Sequence, residues 1–142
     1  MSRPLNRVSI QAVSRVFETA KGQRTQALQP VDFEVKDNDF VTILGPSGCG
    51  KSTLLRIVAG LDHATSGRVL LDGVPVEGPG ADRGMVFQSY TLFPWLTIEQ
   101  NIRFGLRERG MPEAQQKERA AYFIAQVGLR GFAQHFPTPL SG

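Results

Sequence analysis

Apolar and polar positions alternate along VSIQAVSRVF (8–17), which predicts a β-strand at the start of the chain. The alternation lapses in KGQRTQALQP (21–30), read as a polar connection, and returns in VDFEV (31–35) as a second short strand. DNDF then turns the chain into VTILG (41–45), a compact apolar run of the kind that forms a strand buried on both faces. The period changes in KSTLLRIVAGL (51–61), where Leu54, Leu55, Val58 and Leu61 fall at helical spacing. RVLLDG (68–73) and RGMVFQ (83–88) predict further strands. TIEQNIRFGLRER (97–109) places Ile98, Ile102 and Leu106 on one face of a helix. PEAQQKERAAYFIAQVGL (112–129) predicts another, with Pro112 near its start, Gly128 near its end and Ala120, Phe123, Ile124 and Val127 as the buried stripe. Antiparallel-type β structure comes first, then strand–loop–helix, then a helical segment. The class is α/β, and with no linker or repeat residues 1–142 form one folding unit or part of one.

Composition narrows the function classes. With 142 residues, 41% hydrophobic and 20% charged, the chain is long enough for a core and has an ordinary globular balance. The net charge of +3 is spread over scattered Lys and Arg with no basic run, so nucleic acid is not an expected partner. No stretch approaches the roughly 18 apolar residues of a membrane span. The opening MSRPLNRVSI lacks the apolar segment of a signal peptide. One cysteine forms no internal disulfide, which fits a reducing cytosol.

The chemistry concentrates in GPSGCGKS (45–52), which satisfies G-x-x-x-x-G-K-[ST] and is followed by Thr53. A predicted strand leads in and an amphipathic helix leads out, the context that a phosphate-binding loop needs. Gly45, Pro46, Gly48 and Gly50 shape a tight loop whose backbone can approach a ligand; Ser47 and Cys49 complete it. Backbone N–H groups from Gly48 to Thr53 are expected to converge on phosphate oxygens at the positive end of the helix. Lys51 supplies a charge for the β- and γ-phosphates, and the Ser52 hydroxyl a ligand for Mg²⁺. The Cys49 backbone matters to such a loop more than its thiol, although a helix N-terminus can activate a thiol. The motif implies a nucleoside triphosphate site.

LGPSGCGKSTLLRIVAGLDHATSGRVLLDG and RGMVFQSYTLFPWLTIEQNI together resemble the N-terminal half of an ABC transporter ATPase, and the likeness covers essentially all 142 residues. The resemblance implies a P-loop NTPase fold of ABC ATPase type: an N-terminal antiparallel β subdomain, the P-loop core and the start of a helical subdomain, with the C-terminal half missing. It makes Phe17 the aromatic that stacks on adenine, although the residue alone fits a strand-end core equally well. It makes Gln88 the glutamine that contacts Mg²⁺ near the attacking water, giving Lys51 and Gln88 catalytic roles. The loop from Tyr90 to Thr97, with Phe93, Pro94 and Trp95, becomes the dock for a transmembrane permease subunit, while the bland reading makes these side chains core. Ser141 and Gly142 become the start of the LSGGQ signature, which reaches ATP across a head-to-tail dimer.

The wording GPGADRGMVFQSYTLFPWLTIEQNI (78–102) is most similar to subunits of nitrate, sulfonate and taurine importers. That implies ATP and Mg²⁺ as cofactors and a peripheral location on the cytoplasmic face of a bacterial inner membrane, with a periplasmic binding protein as indirect partner. The family's acidic pair and switch histidine match nothing here, and His63 and His135 read as surface or locally bonded residues. Little or no turnover is therefore expected of these 142 residues alone, and strand 41–45 is expected to lack neighbours. Two alternatives stay open: a non-catalytic nucleotide- or permease-binding module, and another P-loop NTPase such as a small-molecule kinase.

Overall fold

The computed structural model describes residues 6–89 and 91–137 and divides the chain into two units, Met1–Val86 and Phe87–Gly142. In the first, β1 (Asn6–Glu18) lies between β2 (Arg24–Lys36) and β3 (Ser66–Leu71), and β4 (Val74–Pro75) pairs with β3. All pairings are antiparallel, with Ile10 opposite both Phe33 and Val69. Helix α1 (Lys51–Val58) packs Leu54 and Ile57 against Ile10, Val13, Leu28 and Val69. Six such side chains contribute roughly 10–15 kcal/mol of transfer free energy, a modest core for this much ordered chain.

A bulge in β1 between Ile10 and Val13 bends the sheet. Its residue Ala12 takes φ +47°, and its N–H, diverted from the ladder, donates to Asp32 Oδ1 at 2.7 Å. Gly67 (φ +76°) faces this bulge so closely that a Cβ there would overlap the Ala12 carbonyl. Ser14 and Ser66 share a hydroxyl hydrogen bond of 2.7 Å on the far side of the bulge.

The second unit is helical. Thr97 caps α2 (Ile98–Glu108): its hydroxyl accepts from the Gln100 N–H, and the Gln100 side chain accepts from the Thr97 N–H. Two further N–H groups at this end, of Ile98 and Glu99, donate to the carbonyls of His135 and Ala133. Helix α3 (Glu113–Gln126) buries Gln116, Ala120 and Ile124, and a 3-10 turn follows at Arg130–Phe132. Arg103 of α2 reaches Glu99, Glu113 and Gln116 and ties the helices together. Lys117, then Arg103, hold the Glu113 carboxyl below its ordinary value. The folded state thus favours ionised Glu113, a preference present at neutral pH and lost as pH falls through that lowered value.

Several expectations need correction. Residues 24–30, read as connection, belong to β2, whose hairpin turn is closed by the Gly22 N–H donating to the Thr19 carbonyl. Residues 41–45 and 83–88 form no strand, because no described strand lies alongside to take up their backbone groups. Phe40, Leu44 and Val86 are instead 95%, 86% and 98% exposed. Helix α1 ends at Val58, leaving Leu55 and Leu61 exposed while Ile57 takes the core position. In α3, Ala120 and Ile124 are buried as expected, but Phe123 and Val127 are exposed and Gln116 is buried, so the packed stripe is the narrower row 116, 120, 124.

Gly67→Ala should lower the stability of the complete protein by at least about 2 kcal/mol, through strain at positive φ and overlap with the Ala12 backbone. Urea denaturation measures it, and an unchanged midpoint would contradict the fixed bulge.

Candidate functional site

The loop 45–50 links the exposed apolar run to α1, and Gly50 makes the turn. It sits at φ +96° as the residue preceding the helix, and no side chain caps α1. A Cβ at Gly50 would stand 2.5 Å from the Ala27 carbonyl oxygen and 2.9 Å from Leu28 Cδ1. The loop is therefore seated directly on β2, and only glycine fits the seat. From there Lys51, Ser52 and Thr53 form the first helical turn, whose N–H groups have no partner within the helix. No acidic residue occupies this turn, so nothing on the helix neutralises its positive end.

The Lys51 ammonium folds back over the loop. It donates to the carbonyls of Gly45 at 2.7 Å and Pro46 at 2.6 Å, and stands 3.5 Å from Cys49 Sγ. Charge is thereby held at the loop between its first two residues and the helix. Pro46, Ser47, Gly48, Cys49 and the Ser52 side chain are exposed, while Lys51 and Thr53 are half-buried. An uncapped helix end, a fixed cation and an accessible hydroxyl suit a polyphosphate anion with its divalent cation. Among the described residues no cluster of three or more His, Cys, Asp or Glu could hold a metal independently. The donor set fits a cation that arrives with phosphate, ligated by Ser52.

Phe17 lies near the end of β1 and is 43% exposed, so it is not a core side chain here. The Arg15 guanidinium covers one face of the ring, 4.5 Å from the centroid. Arg15, and the Asp62 that holds it, escaped the reading of the sequence. A strand-end Arg two residues before an aromatic was the available signal, because i and i+2 share a face. Gln88 was expected at a strand end and stands instead in an exposed bend of the second unit.

In the second unit Phe93 is half-buried, its ring centroid 5.5 Å from that of Trp95 and 4.7 Å from that of Phe104. Pro94 and Trp95 are exposed, as is Leu92. Asn101 fixes this loop. Its Oδ1 accepts from the Phe93 N–H, and its Nδ2 donates to the carbonyls of Phe93, Leu96 and Thr97 at 3.0–3.1 Å. An Asn in the first turn of a predicted helix carried no sign of this role, since its partners precede the helix. Tyr90, Ser141 and Gly142 lie outside the described residues. His135 packs its ring 5.2 Å from that of Phe132, and the His63 backbone N–H donates to Asp62 Oδ1. No helix among the described residues is long and apolar enough to cross a membrane.

The family model described as ABC transporter matches residues 28–142. The chain is 52% identical over 136 residues to an uncharacterized ABC transporter ATP-binding protein of Methanocaldococcus jannaschii, covering 96% of this chain and 51% of that protein. It is 46% identical over 135 residues to the nitrate import ATP-binding protein of Synechocystis, covering 95% and 50%. It is 43% identical over 132 residues to the taurine import ATP-binding protein of Pelagibacter ubique, covering 93% and 50%. The chain thus spans about half the length of the curated relatives it matches. Among solved structures it is similar to the ATP-binding cassette MJ0796 in a dimeric post-hydrolysis state with ADP and Pi. That match has a TM-score of 0.82 at 31% identity and covers 94% of this chain and 63% of the other.

Asn101→Ala should speed hydrogen exchange at the Phe93 amide by about fivefold or more, since that N–H loses its acceptor. Unchanged exchange would show that the loop is held by other means.

Proposed function

This chain belongs to the ABC transporter family, and from that premise we propose that it is the ATP-binding portion of an importer's transport ATPase. The observation that carries the proposal is the seated loop Gly45–Ser52, with Lys51 folded over it and an uncapped helix behind it. In this reading the N–H groups from Gly48 to Thr53 bind the phosphates. Lys51 moves its ammonium from the loop carbonyls onto the β- and γ-phosphate oxygens and offsets charge that builds there during transfer. Ser52, and Gln88 by its place in the motif, would each be a ligand for Mg²⁺, which would supply positive charge against the phosphates. Phe17 stacks on adenine through its open face. Nothing in the 142 residues matches the family's acidic pair or switch histidine, so this chain alone should turn ATP over little or not at all. The apolar runs 41–45 and 83–88 have the composition of interior strands, and their neighbours would come from outside this sequence.

In the complete protein the loop carrying Phe93, Pro94 and Trp95 meets a transmembrane permease subunit. Its exposed Leu92, Pro94 and Trp95 have the character of an interface. By the motifs they belong to, Tyr90 is assigned to the same permease contact, and Ser141 and Gly142 to contact with the ATP of a second, head-to-tail ATP-binding subunit. ATP hydrolysis there drives import, with a periplasmic binding protein delivering the solute and the subunit on the cytoplasmic membrane face. The solute is a small anion of the nitrate, sulfonate or taurine kind. The names of the nitrate and taurine import relatives support that class.

Lys51→Ala should weaken Mg-ATP and Mg-tripolyphosphate binding alike, by about tenfold or more, in calorimetry on the complete protein. Unchanged affinity for both ligands would overturn the assignment of the loop.

A further inference from the structure

One face of the Phe17 ring is occupied by a cation that is itself held in place. Strand alternation puts Arg15 and Phe17 on the same face of β1, with the guanidinium carbon 4.5 Å from the ring centroid. Arg15 Nη2 pairs with Asp62 Oδ1 at 2.7 Å, and the two side chains are only 23% and 17% exposed. Asp62 lies just beyond α1, so the pair ties the end of β1 to the connection between α1 and β3. Thr65, from the same connection, grips the residue between Arg15 and Phe17. Its hydroxyl accepts from the Val16 N–H at 3.0 Å and donates to the Val16 carbonyl at 3.3 Å. Arg15 Nε is buried without a hydrogen-bond partner among the described residues, so the flat cation lies against the ring with one donor unsatisfied.

We propose that Arg15 is a positioning residue for the nucleobase: held by Asp62, it fixes the Phe17 ring and polarises it from one side, so that the opposite face receives the base. The inference rests on the reading of Phe17 as the adenine platform. Two physical effects follow from the geometry. A ring clamped by a planar cation has little rotamer freedom left to lose when the base arrives. A cation on one face also draws electron density from the other, which favours stacking by the electron-rich purine. Lysine would keep the charge and lose the flat stack, so it should rescue only part of the effect.

The test is calorimetry of Mg-ATP and Mg-tripolyphosphate on the complete protein, with tripolyphosphate reporting the loop alone. Arg15→Gln should weaken ATP binding about threefold to tenfold and leave tripolyphosphate unchanged. Arg15→Lys should recover part of the loss, and Arg15→Gln should add nothing in a Phe17→Ala background. Equal loss for both ligands, no loss at all, or an undiminished effect without the Phe17 ring would overturn the role of Arg15. Phe17→Ala that fails to weaken ATP selectively would instead overturn the adenine platform on which the role rests. Asp62→Asn serves if Arg15→Gln does not fold. It leaves both stacking groups in place and should give a smaller loss with the same selectivity, and an unselective loss or none would again count against Arg15.

Discussion

The site depends on one close approach, that of Gly50 to β2. The Ala27 carbonyl and the Leu28 side chain occupy the space that any Cβ at position 50 would need. The chain can turn into α1 at this point only with a glycine in the left-handed region, and the turn fixes where the helix begins. Leu54 and Ile57 then bury themselves on the sheet within two turns of that start. The helix end is therefore held at a set height above β2, with its free N–H groups and Lys51 directed at the exposed loop. A phosphate site built this way would use local backbone shape for recognition and a distant strand for rigidity.

The same sheet organises the second feature of the site by a different means. β1 has β2 on one side and β3 on the other, so its terminal residues can be reached from the connection that follows α1. Asp62 and Thr65 come from that connection and meet Arg15 and Val16, which leaves Phe17 presented at the strand's end. The elements that carry the proposed phosphate loop thus also carry Phe17, the proposed aromatic platform. In contrast, the apolar run beside the loop has no strand partner among the described residues. Phe40 and Leu44 stand open because a strand without a neighbour has nothing to bury against.

Much of this was legible in the residues. GPSGCGKS between an apolar run and a helical period announced the loop, and α2 and α3 appear close to their expected bounds because their apolar spacing is long and regular. Strand β2 was half missed because Gln26 and Pro30 interrupt its alternation, yet β1 pairs with it as far as Arg24. Residues 41–45 and 83–88 were misread for the opposite reason. Their composition states which neighbours they prefer, whereas a strand exists only where a partner accepts its hydrogen bonds. The Arg15–Asp62 pair and the contacts of Asn101 were invisible because each depends on geometry rather than on a local pattern. Arg15 meets Asp62 across the fold, and Asn101 folds back onto a loop before its own helix.

The central claim is that the backbone from Gly48 to Thr53 is the anion receptor. The most direct measurement is the amide nitrogen–proton spectrum of the complete protein as Mg-tripolyphosphate is added. The account predicts that the N–H resonances of Gly48 to Thr53 move downfield together and saturate at one ligand per chain, with the amides of β3 unmoved. Saturable binding that leaves these amides in place and shifts others would contradict it.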